Sequence, residues 1–242
     1  IAEGVLRVVI ENGKKGLENP TDYDAMSEIM WAGSLSHNGL TGLGRAKDFS
    51  VHKLGHALGA KYANPDAKVQ VLWADSWYDL DVESQNAKTL IDNGIKYMGM
   101  EASSPAVPQT CEENGAFCIG YNVDMQASAP KAVLTSFVWN WAPIFEDIMK
   151  KTADGTIDIS ANYYEGGECA ALAPFNKDLV PQEVQDKVEA LREQINNGEV
   201  QVYAGELKDD QGNVLVKGGE VMSDDDILAQ DFFVDNVIGG KK

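Results

Sequence analysis

The sequence predicts an α/β lobe built on a parallel sheet, preceded by an all-α helical segment, and three observations carry the prediction. From Asn64 onward, short β-rich apolar runs alternate with helical stretches of about ten residues, the pattern of βαβ units. Before Asn64 the apolar residues recur at helical spacing only. The charge changes at the same place: residues 1–62 hold as many basic as acidic residues, so the whole net charge of −18 falls on the remainder. His37, His52 and His56 all precede the change, and Cys111, Cys118 and Cys169 all follow it. The chain therefore reads as two domains, a helical segment over 1–62 and an α/β lobe over 63–242.

The elements follow in order. Val5, Val8, Val9 and Leu17 form one stripe over residues 1–17, punctuated by Gly16 and Pro20. Thr21 with Asp24 reads as an N-cap with an acidic third position, ahead of Met26, Ile29, Met30 and Trp31 at helical spacing. Asn38-Gly39, Gly42 and Gly44 break the pattern, and Asp48 or Ser50 starts a third helix carrying Val51, Leu54 and Leu58. Beyond Asn64, strands are predicted at 69–73, 97–100, 117–120 and 133–138, the last leading into a helix through Met149. Helices are predicted at 84–93, 105–114 and 181–196, the first two closed by Gly94 and Gly115. Asp209-Asp210-Gln211-Gly212 between 200–204 and 214–216 signals a hairpin, and Ser223 caps a last short helix whose acidic start, 224–226, reads as solvated.

The 242 residues are 44% hydrophobic and 24% charged, an ordinary globular balance. The net charge argues against nucleic acid as a partner, because an anionic surface repels phosphate. No apolar run reaches the roughly eighteen residues that a membrane helix needs. The first residues lack a basic stretch followed by an apolar one, so no signal peptide is expected, and a start at Ile1 within helical sequence reads as a fragment or processed product. Three cysteines without C-x-x-C spacing imply neither a disulfide framework nor a zinc site. Cys111 and Cys118 could pair in an oxidising compartment, but three unpaired, partly buried thiols are the favoured reading.

Two stretches carry recognisable chemistry. In Asp48-Phe-Ser-Val-His52-Lys-Leu-Gly-His56 the two histidines stand four apart on one helical face, where one metal ion could reach both, or where both are simply polar positions on a half-buried helix. Together with Asp22-Tyr-Asp24, Met30-Trp31-Ala-Gly33 and Asn38-Gly-Leu-Thr-Gly-Leu-Gly44, this stretch resembles the helical C-terminal domain of iron-containing (group III) alcohol dehydrogenases over residues 1–62. The resemblance implies His52 as a metal ligand and His56 lining the site near the nicotinamide, with Fe2+ or Zn2+ and NAD(P) as cofactors. The family's next metal-binding histidine, fourteen residues after the first, is matched by Asp66. Its other ligands and its dinucleotide-binding domain lie upstream of the matched region. The metal site is therefore expected to be incomplete and hydride transfer absent, so a binding protein is favoured over an enzyme.

The rest of the chain carries Asn64-Pro-Asp-Ala-Lys-Val69, Ser76-Trp-Tyr-Asp79, Ser104-Pro-Ala106, Ile119-Gly-Tyr-Asn-Val-Asp-Met125 and Ala129-Pro-Lys131. Leu134-Thr-Ser-Phe-Val-Trp-Asn-Trp141, Leu172-Ala-Pro174 and Asp209-Asp-Gln-Gly-Asn213 follow in order. These motifs resemble the C-terminal part of the basic membrane protein (BMP) family of ABC-transporter substrate-binding proteins. The resemblance implies one lobe of a periplasmic-binding-protein type I fold with the first lobe largely missing, a purine base or nucleoside as ligand, no cofactor, and a transporter permease as partner. It also implies a periplasmic or lipid-anchored location, whereas the chain as it stands is expected in the cytoplasm. The apparent join of two unrelated resemblances near Asn64 reads as a chimera, in which neither activity need be intact.

The residues fit a purine cleft on their own terms. Ligands of parallel α/β lobes meet the carboxyl ends of the strands, and a flat heteroaromatic base needs an aromatic face and polar groups for its edge. The candidates there are Trp77, Ser103, Ser104, Asn122, Asp124, Trp139 and Asn140. Phe137 and Trp141 read as core. Ser103 stands where the family often carries Asp, and Gly166-Gly167 reads as a close-approach loop or a turn.

Overall fold

Helices come first, as their spacing requires. The structure, a computed structural model, describes residues 2–19, 21–37, 50–157, 170–229 and 232–238. The chain divides into two units, Ile1–Val51 and His52–Lys242. In the first, α1 (Ala2–Glu18) packs against α2 (Tyr23–His37). Their close approach is made at Gly16, where a Cβ would stand 3.1 Å from both Ile29 Cδ1 and Met26 Sδ. The cap of α2 is Asp22 rather than Thr21. Asp22 Oδ1 accepts from Ala25 N at 3.1 Å, while the Thr21 hydroxyl is donated to Asn19 Oδ1 at 2.8 Å. The glycine-rich stretch 38–44 and Gly166-Gly167 lie outside the described residues.

The second unit takes in nearly all of α3 (Ser50–Ala63), then β1 (Val69–Gln70), α4 (Leu80–Asp92), β2 (Tyr97–Gly99), α5 (Ala106–Asn114) and β3 (Phe117–Asn122). It continues with β4 (Val133–Trp139), α6 (Ala142–Ala153), β5 (Ala170–Leu172), α7 (Gln182–Asn196), β6 (Leu207–Lys208), β7 (Val214–Val216), α8 (Asp224–Ala229) and β8 (Val237–Ile238). Its main sheet runs β2-β3-β4-β5, the first three strands parallel and β5 antiparallel to β4. The expected α/β class with a parallel sheet is therefore observed, and no strand occurs among the described residues before Val69.

Local chemistry moves two boundaries. Helix α4 starts at Leu80 rather than Ser84, because Asp79 Oδ1 accepts from Val82 N at 3.1 Å and Glu83 Oε1 accepts from Asp79 N at 2.9 Å. The hairpin's first strand is β6, not residues 200–204, which supply only the bridge Ala204–Val221. Asp209 decides that register: it accepts from Gln211 N, Asn213 N and Asn213 Nδ2 at 2.8–2.9 Å, closing the turn directly after Lys208. Strand β1 does not join the main sheet; it pairs in parallel with β8.

Two apolar cores hold this unit. The first joins Ala87 of α4, Met98 of β2, Cys111 of α5, Cys118 and Tyr121 of β3, and Val133 of β4. Full burial of a side chain such as Val133 contributes about 1.5–3 kcal/mol. The Cys111 and Cys118 thiols are free, buried and in hydrogen-bond contact, and that contact with Cys111, reinforced by burial, keeps Cys118 protonated. Cys169 lies outside the described residues. The second core joins Ala57 and Leu58 of α3 to Leu207, Val216, Met222, Val234 and Val237. Asn236 Nδ2 donates to Ala57 O at 2.8 Å and Lys61 Nζ meets Asp235 at 2.6 Å, which ties α3 to the chain end.

Candidate functional site

The carboxyl ends of β2, β3 and β4 lie side by side, and one line of hydrogen bonds crosses them. At the end of β3, Asn122 adopts φ +67°, a left-handed turn that asparagine tolerates better than most residues. Its Nδ2 donates to Ser103 Oγ, on the segment after β2, at 2.8 Å. Its Oδ1 accepts from Trp139 Nε1, the last residue of β4, at 2.8 Å. Ser103 is held in turn by its backbone, whose N–H donates to Trp77 O at 2.9 Å. The register that sets Asn122 opposite Val138 brings the Trp139 indole alongside the amide.

An aromatic series continues from this line. Trp139 packs edge-on to Phe137 at 5.0 Å and stacks on Trp141 at 5.5 Å and 23°. Phe145 of α6 follows Trp141 at 6.4 Å. Phe137 packs against the first core as expected, but Trp141 does not: it is 50% exposed. Strand β4 ends at Trp139, so Trp141 leaves the pleat that would have carried it inward. Beneath the series, Tyr121 is buried and stacks on Phe137 at 6.3 Å. Burial, then the Glu101 carboxylate, push its phenol pKa up, against a smaller opposing effect of the Trp139 N–H.

The remaining candidates fall in different surroundings. Ser104 is fully buried, donates to Glu83 Oε2 at 2.5 Å and accepts from Ala106 N at 3.2 Å. Glu83 is itself 2% exposed and joins the loop before α4 to the loop before α5. Neither Glu83 nor Tyr121 was among the sequence candidates. The only sequence signal for Glu83 is its place four residues after the capping Asp79. Asp124 is exposed and its Oδ1 accepts from Gln126 N at 3.0 Å, an Asx turn. Asn140 is exposed on the turn into α6. A depression of about 570 Å³ lined by Gln109, Glu112, Glu113, Ser128 and Lys131 contains none of the candidates.

The histidine pair stands elsewhere. His52 is on α3 with its side chain outside the described residues. His56 is largely buried, packs against Gly99 and has its pKa lowered by burial. Asp66 is exposed on the turn after α3. Among the described residues no three His, Cys, Asp or Glu side chains could hold a metal ion.

Residues 44–206 match the family described as ABC transporter substrate-binding protein, PnrA-like. A purine-binding protein of Brucella abortus is 34% identical over 182 residues, 74% of this chain and 51% of that protein. A Haloferax volcanii protein named for glucose binding in an ABC transporter is 32% identical over 151 residues, 62% of this chain and 38% of that protein. An NADH-dependent butanol dehydrogenase of Clostridium acetobutylicum is 32% identical over 101 residues, 42% of this chain and 26% of that enzyme. The chain thus spans about half the length of the purine-binding relative and less of the other two. A stretch of 101 residues does not fit outside 44–206, so the dehydrogenase likeness and the transporter-family match overlap.

Proposed function

The chain belongs to the family of PnrA-like ABC-transporter substrate-binding proteins, and on that premise we propose that it binds a purine base or nucleoside at the carboxyl ends of β2, β3 and β4. One observation carries the reading: Trp139 presents a partly exposed indole whose N–H is already engaged by Asn122 and one face of which is stacked on Trp141, so what it offers a ligand is its other face. Ser103, beside it, supplies a hydroxyl for the edge of a planar base. The purine-binding relative supports the ligand class. The protein then delivers its ligand to a transporter permease outside the cytoplasm. No helix of the described residues is long and apolar enough to cross a membrane.

Read as one wall of a binding cleft, these residues imply the affinity to expect. One aromatic stack at about 1 kcal/mol and two or three hydrogen bonds at about 1 kcal/mol each give roughly 3–4 kcal/mol, a Kd on the order of 1 mM. Equilibrium dialysis of the 242-residue chain with adenine, guanosine and glucose tests the class. Saturable binding of either purine above glucose supports it; glucose bound more tightly than both purines contradicts it. Hydride transfer is not part of this reading, and NAD(P)-dependent oxidation of a small alcohol that disappears in His52→Ala would contradict it.

A further inference from the structure

A tryptophan indole N–H can donate a hydrogen bond but never accept one. Trp139 Nε1 faces Asn122 Oδ1, so the amide oxygen must point to the indole and the amide NH2 to Ser103. That NH2 donates to Ser103 Oγ, so the hydroxyl acts there as an acceptor and keeps its own hydrogen for another partner. No acceptor for that hydrogen is found among the described residues. The Tyr121 hydroxyl lies near the same indole N–H, and as a second acceptor it leaves the polarity of the series unchanged.

We propose that Asn122 is a positioning residue that transmits this polarity from Trp139 to Ser103, so that the Ser103 hydroxyl is left with its hydrogen to donate to a ring nitrogen of the bound purine. The inference rests on the purine reading above. Asn122 suits the role through both its backbone and its amide. Its backbone takes up a left-handed conformation, and its amide offers an acceptor to Trp139 and a donor to Ser103. A base stacked on the indole face would then meet a donor at the Ser103 side, and would bind best when it places an unprotonated ring nitrogen there.

Three variants separate the parts. Asn122→Asp tolerates the same backbone and still accepts from Trp139, but its second oxygen takes the Ser103 hydrogen and withdraws it from the ligand. Asn122→Gly removes the side chain without backbone strain, and Ser103→Ala removes the donor. In ligand-free protein, NMR should show slow hydrogen exchange at the Trp139 indole N–H in the parent and in Asn122→Asp, and faster exchange in Asn122→Gly. Fast exchange in the parent, or exchange unchanged in Asn122→Gly when Tyr121→Phe is also made, overturns the transmitted polarity. Titrations then compare adenosine with its 1-deaza, 3-deaza and 7-deaza analogues, each lacking one ring acceptor. One analogue should bind about three- to tenfold more weakly than adenosine to the parent, and that penalty should vanish in Asn122→Asp and Ser103→Ala. Equal affinities across the series, or a penalty that survives in both variants, overturns the donor assignment and leaves the purine reading standing. No saturable response to any of the four overturns the purine reading itself, and indole exchange alone then decides the polarity.

Discussion

Ser103 and Ser104 are neighbours in sequence with opposite expected phenotypes. The Ser104 hydroxyl is fully buried between Glu83 Oε2 at 2.5 Å and Ala106 N at 3.2 Å. Ser104→Ala removes a hydrogen bond to a buried carboxylate, leaves one carboxylate oxygen without its donor, and frees an N–H at the start of α5. A hydrogen bond to a charged group contributes about 1.5–3 kcal/mol, and an orphaned buried polar partner adds to the loss, so the expected cost is roughly 2–4 kcal/mol. For a protein of this size each kcal/mol lowers Tm by roughly 2–4 °C, which gives a fall of about 4–16 °C. Purine affinity measured well below Tm should change less than about twofold, because the Ser104 hydroxyl is fully buried and engaged by Glu83. Ser103→Ala should do the reverse: Tm within about 2 °C of the parent and affinity down about three- to tenfold. Thermal unfolding by circular dichroism and a purine titration on both variants read the cross. Ser104→Ala with an unchanged Tm would refute the buried network, and the same loss in both variants would refute the division of roles.

Three further outcomes follow from the same geometry. Gly120→Ala should destabilise by about 1–3 kcal/mol in urea unfolding, because a Cβ there runs into Ser136 Oγ and stands 3.0 Å from Met125 Cβ; a second change, Ser136→Ala, should recover part of that loss although it removes the bond from Met125 N. Burial lowers the His56 pKa, so the unfolded chain takes up the proton first as pH falls; the stabilisation is present above about 6.5 and lost as pH drops from there towards the lowered folded value, and urea unfolding of His56→Gln should lose that slope. The Asn213 side chain is the largest cause of the lowered pKa of Asp209, so Asn213→Ala should raise the Asp209 midpoint in an NMR titration.

Helix ends were legible wherever a single residue type settles them. Gly115 closes α5 at φ +67° and Ser223 opens α8 through its hydroxyl on Asp226 N, and both were readable from the chain. Elements set by distant partners were not. Strand β5 is three residues, Ala-Ala-Leu, with no pattern of its own, and it exists because it pairs with residues 137–139 of β4. Trp139 is a candidate by its place at the end of a strand. Its bond to Asn122 depends on the β3–β4 register, which local sequence does not encode. The bond from the Ser104 hydroxyl to Glu83, twenty-one positions earlier, has no local sequence signal. Trp141 reads as core from the sequence, but β4 stops at Trp139 and leaves the Trp141 side chain half exposed.

The most direct test of the account is to watch the five tryptophan indole N–H signals while guanosine is titrated into the 15N-labelled chain. The account predicts saturable movement of the Trp139 signal, a smaller ring-current shift at its stacked neighbour Trp141, and little change at Trp31 and Trp73. Saturable movement centred on Trp31 or Trp73, with Trp139 still, or no saturable movement up to several times the expected Kd of about 1 mM, would contradict it.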